Sequence, residues 1–211
     1  FQNQSDVFRA DREGNLSRVA GKGDPRLSGD GGPAAAAGLD AAGIALGPDG
    51  SLYVADRSNH RVRRVDANGI ITTVAGSGPT GSGNGSFAGD GGPAVNGPLG
   101  YVRGVAVDSA GNVYATDQGN ALVVSISVNG ILEVVAGNGI GGYSGDGGPA
   151  VTAALAPLSV AVDSSRNIYI GESARVRRVS AAGIITTIAG TGTTGFSGDH
   201  VENPVHRDAH H

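Results

Sequence analysis

The stretch IALGPDGSLYVADRSNHRVRRVDANGIITTVAG, residues 44–76, decides the fold because it recurs. Its opening matches VAVDSAGNVYATD at 105–117 and VAVDSSRNIYIGE at 160–172. Its RVRRVDANG matches LVVSISVNG at 122–130 and RVRRVSAAG at 175–183. Its closing run recurs as LSRVAG, LEVVAG and ITTIAG, with successive copies roughly 55–60 residues apart, a period that signals a repeat architecture. Near the N-terminus VFRADREG, residues 7–14, matches only the later part of a unit. Between units lies GDGGPA, at 29–34, 89–94 and 145–150, with a truncated SGD at 197–199.

Each unit reads as four short β-branched runs separated by turn residues, which is the pattern of successive hairpins. The first run is IAL or VAV, the second LYVA, VYAT or IYIG, the third RVRRV or its equivalent, and the fourth the VAG run. Asn68-Gly69 and Asn129-Gly130 predict tight type I′ hairpins between the last two strands. A four-stranded antiparallel sheet of this size cannot bury both faces alone, so neighbouring sheets must stack. Radial stacking gives a β-propeller. A β-helix is the main competitor, but its coils are shorter than these units.

The order YVAD-RSN-HRVRRVD-ANG-IITTVAG resembles the NHL repeat, named for an Asn-His-Leu element that here reads Asn59-His60-Arg61. The resemblance covers residues 5–199 and is closest to a bacterial form with TVAGxG…SGDGGPA connectors. The triplet survives in one copy; later units carry Gly119-Asn120-Ala121 and Ser173-Ala174-Arg175. The fold class expected is therefore all-β, a propeller of four-stranded antiparallel blades. About three and a half NHL-type blades are present, half of a ring that the resemblance puts at about six blades. The divisions expected are a partial blade at 1–21, connector-plus-blade units at 22–76, 77–137 and 138–190, and a truncated connector with a His-rich tail at 191–211. Three sheets do not close a ring, and open edges invite pairing. The favoured expectation is a portion of a longer protein; the other is a homo-oligomer that completes the ring.

Composition limits the function. The net charge is −4, there is one lysine, Lys22, and aromatic residues make up 4% with no Trp. A dominant electrostatic grip on nucleic acid is disfavoured, as is base stacking. No cysteine exists for disulfides or thiolate metal sites, and no apolar run approaches a membrane span.

Gly76-Ser77-Gly78-Pro79-Thr80-Gly81 fits the G-x-G-x-x-G pattern, but so do 137–142 and 190–195. A dinucleotide site needs one such loop between a strand and a helix. Three copies, each followed by Gly/Pro/Ala-rich chain, read as connectors between blades. Asp30, Asp90 and Asp146 suggest calcium, yet each GDGGPA offers one carboxylate where calcium wants six to eight oxygens. They are expected instead to bond the N–H groups of their own loops. Four of five histidines lie at 200–211, which resembles a tail more than a rigid zinc site. The expectation is no catalytic residue, no metal ligand and no cofactor, with calcium or zinc the minor alternatives.

An acidic residue ends each second strand: Asp56, Asp117 and Glu172, with Arg61 or Arg175 soon after. Recurrence in every blade argues for Asp–Arg contacts and turn hydrogen bonds rather than catalysis. Arg61/Arg63/Arg64 and Arg175/Arg177/Arg178 are expected to cover strand surfaces. In a propeller the connectors and the loops between second and third strands emerge on one face. That face would carry Asp56, Asn59, His60, Arg61, Tyr101, Arg103, Asp117, Gln118, Asn120, Glu172 and Arg175.

The favoured function is a non-catalytic binding or scaffold module of a secreted or cell-surface bacterial protein, engaging a protein or glycan through this face. That localisation rests on the bacterial resemblance, the absence of Cys and the scarcity of Lys. The first alternative is a metal-assisted lyase or hydrolase site in a central channel completed by another half-propeller. The amidating lyases, similar to NHL propellers, use channel histidines, and the first strands here have none. The second alternative is RNA binding, which the resemblance to some animal NHL domains implies.

Overall fold

The computed structural model describes residues 5–78, 87 and 89–194. The strands are β1 (Val7–Ala10), β2 (Leu16–Ala20), β3 (Ala41–Leu46), β4 (Leu52–Asp56), β5 (Arg61–Val65), β6 (Ile71–Ala75) and β7 (Val102–Val107). They continue as β8 (Val113–Asp117), β9 (Leu122–Ile126), β10 (Leu132–Ala136), β11 (Ser159–Val162), β12 (Ile168–Gly171), β13 (Val176–Val179) and β14 (Ile185–Ala189). Three four-stranded antiparallel sheets follow chain order, β3–β6, β7–β10 and β11–β14, and β1 and β2 form a two-stranded sheet. Single 3-10 turns follow each GDGGP and, in the first full blade, β4. Among the described residues no helix is long and apolar enough to cross a membrane.

The hairpin between third and fourth strands differs from the expected type I′. Asn68 is not among the residues with positive φ, whereas Gly69 is, at 75°. Gly69 N–H donates to the Asp66 carbonyl, and Asp66 N–H to the Ile70 carbonyl. The Asp66 side chain accepts from the N–H groups of Asn68 and Ile70. That carboxylate stabilises an ordinary turn ending in one left-handed glycine, so Asn68 stays right-handed.

The core lies between sheets. Tyr53, Ala55 and Val62 of the first full blade pack with Val102, Val105, Val113 and Leu122 of the second. Ala106, Tyr114 and Val123 of the second pack with Ile168, Ile170 and Val179 of the third. Val7 and Ala20 of the two-stranded sheet pack with Leu52, Val54 and Val65. The first strands run close together: a Cβ on Gly43 would sit 2.6 Å from the Arg103 carbonyl oxygen, and one on Gly104 would sit 2.8 Å from Ser159 Cα.

Each connector crosses to the outer strand of the blade it precedes. Pro33 bridges Ile70, Pro93 bridges Ile131 and Pro149 bridges Ile184. Gly31 N–H donates to the Ile71 carbonyl, and Gly91 and Gly147 repeat this on Leu132 and Ile185. The connector thus starts at one blade's last strand, straps the next blade's outer edge and delivers the chain to its first strand.

Candidate functional site

The acidic residues at the ends of the second strands receive the chain as it arrives. Asp56 is fully buried. Its Oδ1 accepts from Asp40 N–H at 2.7 Å and from the Asn59 amide at 2.7 Å. Its Oδ2 accepts from Arg63 at 3.2 Å. Asp117 is equally buried. It accepts from the N–H groups of Gly100 and Asn120 and from the Asn120 amide. Glu172 accepts from Ala156 N–H at 2.9 Å. One role recurs, fixing the backbone just ahead of each first strand. Burial raises the Asp56 and Asp117 carboxyls above the ordinary range, Asp117 to about 6.

Asn59 and Asn120 hold the connectors, donating to the carbonyls of Pro25 and Pro98 respectively. His60 takes the left-handed conformation, φ 56°. Its Nδ1 accepts from Tyr101 N–H at 3.1 Å, and the two rings lie 4.9 Å apart. The contact joins the first full blade to the second. Burial, and then the nearby Arg61 charge, hold the imidazole below its usual range.

The arginines differ from expectation in two ways. Asp56 pairs with Arg63, not Arg61; Arg61 donates to the carbonyls of Asn59 and Ser77, and Arg175 to that of Thr191. Arg63 and Arg177 do not cover a surface but are completely buried. The connector roofs the outer side of each sheet, so a third-strand residue that would face water lies beneath it.

The GDGGPA aspartates account for the buried charge. Asp30 does not bond its own loop as expected; it pairs with Arg63 at 2.7 Å and accepts from the Thr73 hydroxyl at 2.6 Å. Asp146 pairs with Arg177 at 2.6 Å and accepts from Thr187 N–H. Asp90, whose blade lacks the arginine, accepts from Val134 N–H. A carboxylate on a tight glycine loop reaches outward, and the nearest donors lie on the blade beneath. Among the described residues no three of His, Asp or Glu gather where they could hold a metal ion.

The eleven residues of the expected face therefore separate. Tyr101, Arg103 and Gln118 come together around a shallow concavity of about 410 Å³, with Arg57 and Ser58 from the loop after β4. Asp56, Asp117, Asn59 and Asn120 lie below, engaged in the contacts above. Glu172 and Arg175 line a second hollow at the third blade, where Arg175 stacks on Tyr143 at 3.7 Å. Sequence reasoning missed Arg57 and Ser58, whose polar groups meet Asp40: Arg57 at 3.2 Å, Ser58 through its hydroxyl. A signal was present, since both fall in the same inter-strand loop as Asn59 and His60. Among the described residues, the side chains of Arg103 and Gln118 have no hydrogen-bond partner.

Comparison with known proteins agrees with this architecture. The family described as the teneurin NHL domain matches residues 9–86. A virginiamycin B lyase from Staphylococcus aureus superposes with a TM-score of 0.53 at 14% identity, over 89% of this chain and 49% of the lyase. A gluconolactonase from Xanthomonas campestris gives 0.58 at 14%, over 90% and 57%. An auxiliary nutrient binding protein from Bacteroides thetaiotaomicron gives 0.55 at 17%, over 80% and 40%. The chain spans about half the length of these structures, and at such identities the likeness is one of fold. Stacked four-stranded blades, NHL-like repeats and partial coverage of whole propellers together identify a β-propeller fold of NHL type.

Proposed function

We propose that the chain is a non-catalytic binding module, part of a secreted or cell-surface bacterial protein, that engages a protein or glycan through the concavity beside Tyr101 and Arg103. The observation that carries this reading is the division of polar groups on the face. Aspartates and asparagines at the strand ends are engaged internally. Arg103 and Gln118 stand at the same mouth with uncommitted side chains, beside the half-exposed ring of Tyr101. A guanidinium, an amide and an aromatic ring fit a partner that offers carboxylate or hydroxyl groups next to an apolar patch. The reading invokes no cofactor. An auxiliary nutrient binding protein is among the structures similar in fold, and a sugar-bearing ligand is the first probe of this reading.

The test is a panel of neutral and acidic oligosaccharides and acidic peptides, measured by calorimetry against the wild-type chain, Tyr101→Ala and Arg103→Ala. Saturable binding that weakens at least tenfold in both variants, each retaining the wild-type circular-dichroism spectrum at the assay temperature, is expected. Turnover of a probe that survives both substitutions, or no binding across the panel, overturns the reading.

A further inference from the structure

The turns joining first to second strands, and third to fourth, emerge at the end of each sheet opposite the Tyr101 concavity, because consecutive strands alternate in direction. At that end a groove opens between neighbouring blades. The groove between the first and second full blades measures about 560 Å³, and that between the second and third about 510 Å³. Equivalent positions build both. Tyr53 and Tyr114 come from the second strands, with Arg64 and Ser125 paired to them on the third. Val113 and Ile168 come from the facing blade.

The two tyrosines differ in what their hydroxyls do. Tyr114 donates to Asp108 at 3.3 Å, and in the third blade Tyr169 donates to Asp163 at 3.1 Å. The first full blade has Gly47 at the position of those aspartates. Asp49 does not replace them: it accepts from the Ser51 N–H, the Ser51 hydroxyl and Arg64. Among the described residues the Tyr53 hydroxyl has no hydrogen-bond partner. Tyr53 is only 9% exposed, yet its hydroxyl is not sealed in the interior. The buried ring thus opens its polar end on the groove that it lines. A tyrosine hydroxyl so placed normally has a partner, and here the groove is the side from which one can come.

We infer that the groove between the first and second full blades is a site for a small uncharged molecule with an apolar body and a carbonyl group that accepts a hydrogen bond from Tyr53. Val74, Val113, Ile126 and Val128 line the groove and fit the apolar body. The carbonyl follows from the uncommitted polar groups, which are donors: the Tyr53 hydroxyl, and the Arg64 N–H groups beyond the one given to Asp49. The absence of charge follows from the pair Arg64 and Asp49, 2.8 Å apart on the same groove. An anion would meet the carboxylate and a cation the guanidinium, and like charges brought together repel. The groove between the second and third blades is of similar size but its tyrosine is already engaged, so it serves as a control within the same chain.

The probe is N-acetyl-leucine methylamide, titrated into the full chain with its five tyrosine rings carbon-13 labelled and followed by NMR. The Tyr53 signals, assigned by their loss in Tyr53→Phe, should shift saturably, with the millimolar midpoint expected of a fragment. The Tyr114 signals should not move. Tyr53→Phe removes only an oxygen without a partner, so it should not lower the unfolding midpoint. Read on the probe's own resonances, its affinity should fall at least fivefold. Val128→Asp, at a side chain 66% exposed on the groove wall, should retain the wild-type circular-dichroism spectrum and weaken binding at least fivefold as well. Absence of saturation, equal shifts at Tyr114, or an affinity indifferent to either variant overturns the inference. So does tighter binding of N-acetyl-leucine, whose carboxylate would make the ligand an anion.

Discussion

The first and second full blades place different residues at one point and reach the same fold. In the first, Arg63 at the middle of the third strand is buried between Asp56 inside the sheet and Asp30 in the connector. It also donates to the carbonyls of Gly38 and Ser28. In the second, the equivalent residue is Val124, and Phe87 of the connector packs into the same core. Tyr143, the third blade's counterpart of Phe87, instead lies 4.9 Å from the Arg177 guanidinium. One blade fastens its connector with buried charge and its neighbour with apolar packing. A buried ion pair is thus not required by the architecture. Where the arginine is absent, its carboxylate partner remains, and burial raises the Asp117 carboxyl to about 6.

Breaking the ionic solution in place should have the largest effect. Arg63→Val leaves Asp56 buried without its guanidinium and is expected to cost ~3–5 kcal/mol. Urea denaturation at pH 7 measures it. Adding Leu27→Phe and Ser28→Ala, which copies the second blade's connector, should recover a substantial part of that loss. If Arg63→Val alone costs less than about 1 kcal/mol, the network is incidental to stability.

The second blade offers a test by pH. The Asp117 carboxyl stands at about 6 when folded against an ordinary 3.8. A raised folded pKa means the folded state binds this proton more tightly than the unfolded state does. Its contribution is complete below about pH 4 and is lost as pH rises through about 6, a difference of ~3 kcal/mol. Asp24, Asp49 and Asp146, held to about 2 by their partners, act in the opposite direction and only below about pH 4. Stability should therefore decline between pH 4 and 6, with Asp56, also raised by burial, adding to the decline and His60, held low, opposing it; Asp117→Asn should flatten part of it. An unchanged slope in the variant would remove Asp117 as its source.

The same contrast explains what the sequence made legible. Repeats specified the blades, their four strands and the stacking, because each unit's alternation and turn residues point to one antiparallel sheet. Alternation could not place Arg63. It assumes one wet face, and the connector that dries the other face comes from far along the chain. Asn68-Gly69 was misread for a local reason: Asp66, two residues earlier, fixes the turn through its own hydrogen bonds. Tyr101, Arg103 and Gln118 are legible as one surface because the repeat puts Tyr101 and Gln118 in its loops and Arg103 at the start of a first strand. Their separation from Asp56 and Asp117 was not visible, since an acidic residue beside a loop looks alike in sequence whether it is buried or presented.

The smallest expected effect compares the turn between first and second strands across all three blades. Gly50 and Gly111 hold its left-handed position at φ 79° and 89°, and Arg166 holds it in the third blade at φ 62°. The closing bond is the same, from the N–H of each residue to the carbonyl of Gly47, Asp108 or Asp163. A left-handed non-glycine residue carries roughly 1–2 kcal/mol of steric cost. Glycine gives back part of that through its freer unfolded chain, roughly 0.5–1 kcal/mol. Arg166→Gly should therefore stabilise the protein by about 0.5–1 kcal/mol and raise the melting midpoint by ~1–4 °C for a domain of this size. The Arg166 side chain shares a groove with Glu133 and Tyr114 of the preceding blade. A midpoint that falls would show that this contact between blades outweighs the backbone strain, and Arg166→Ala, which keeps the strain but removes the side chain, would then fall further.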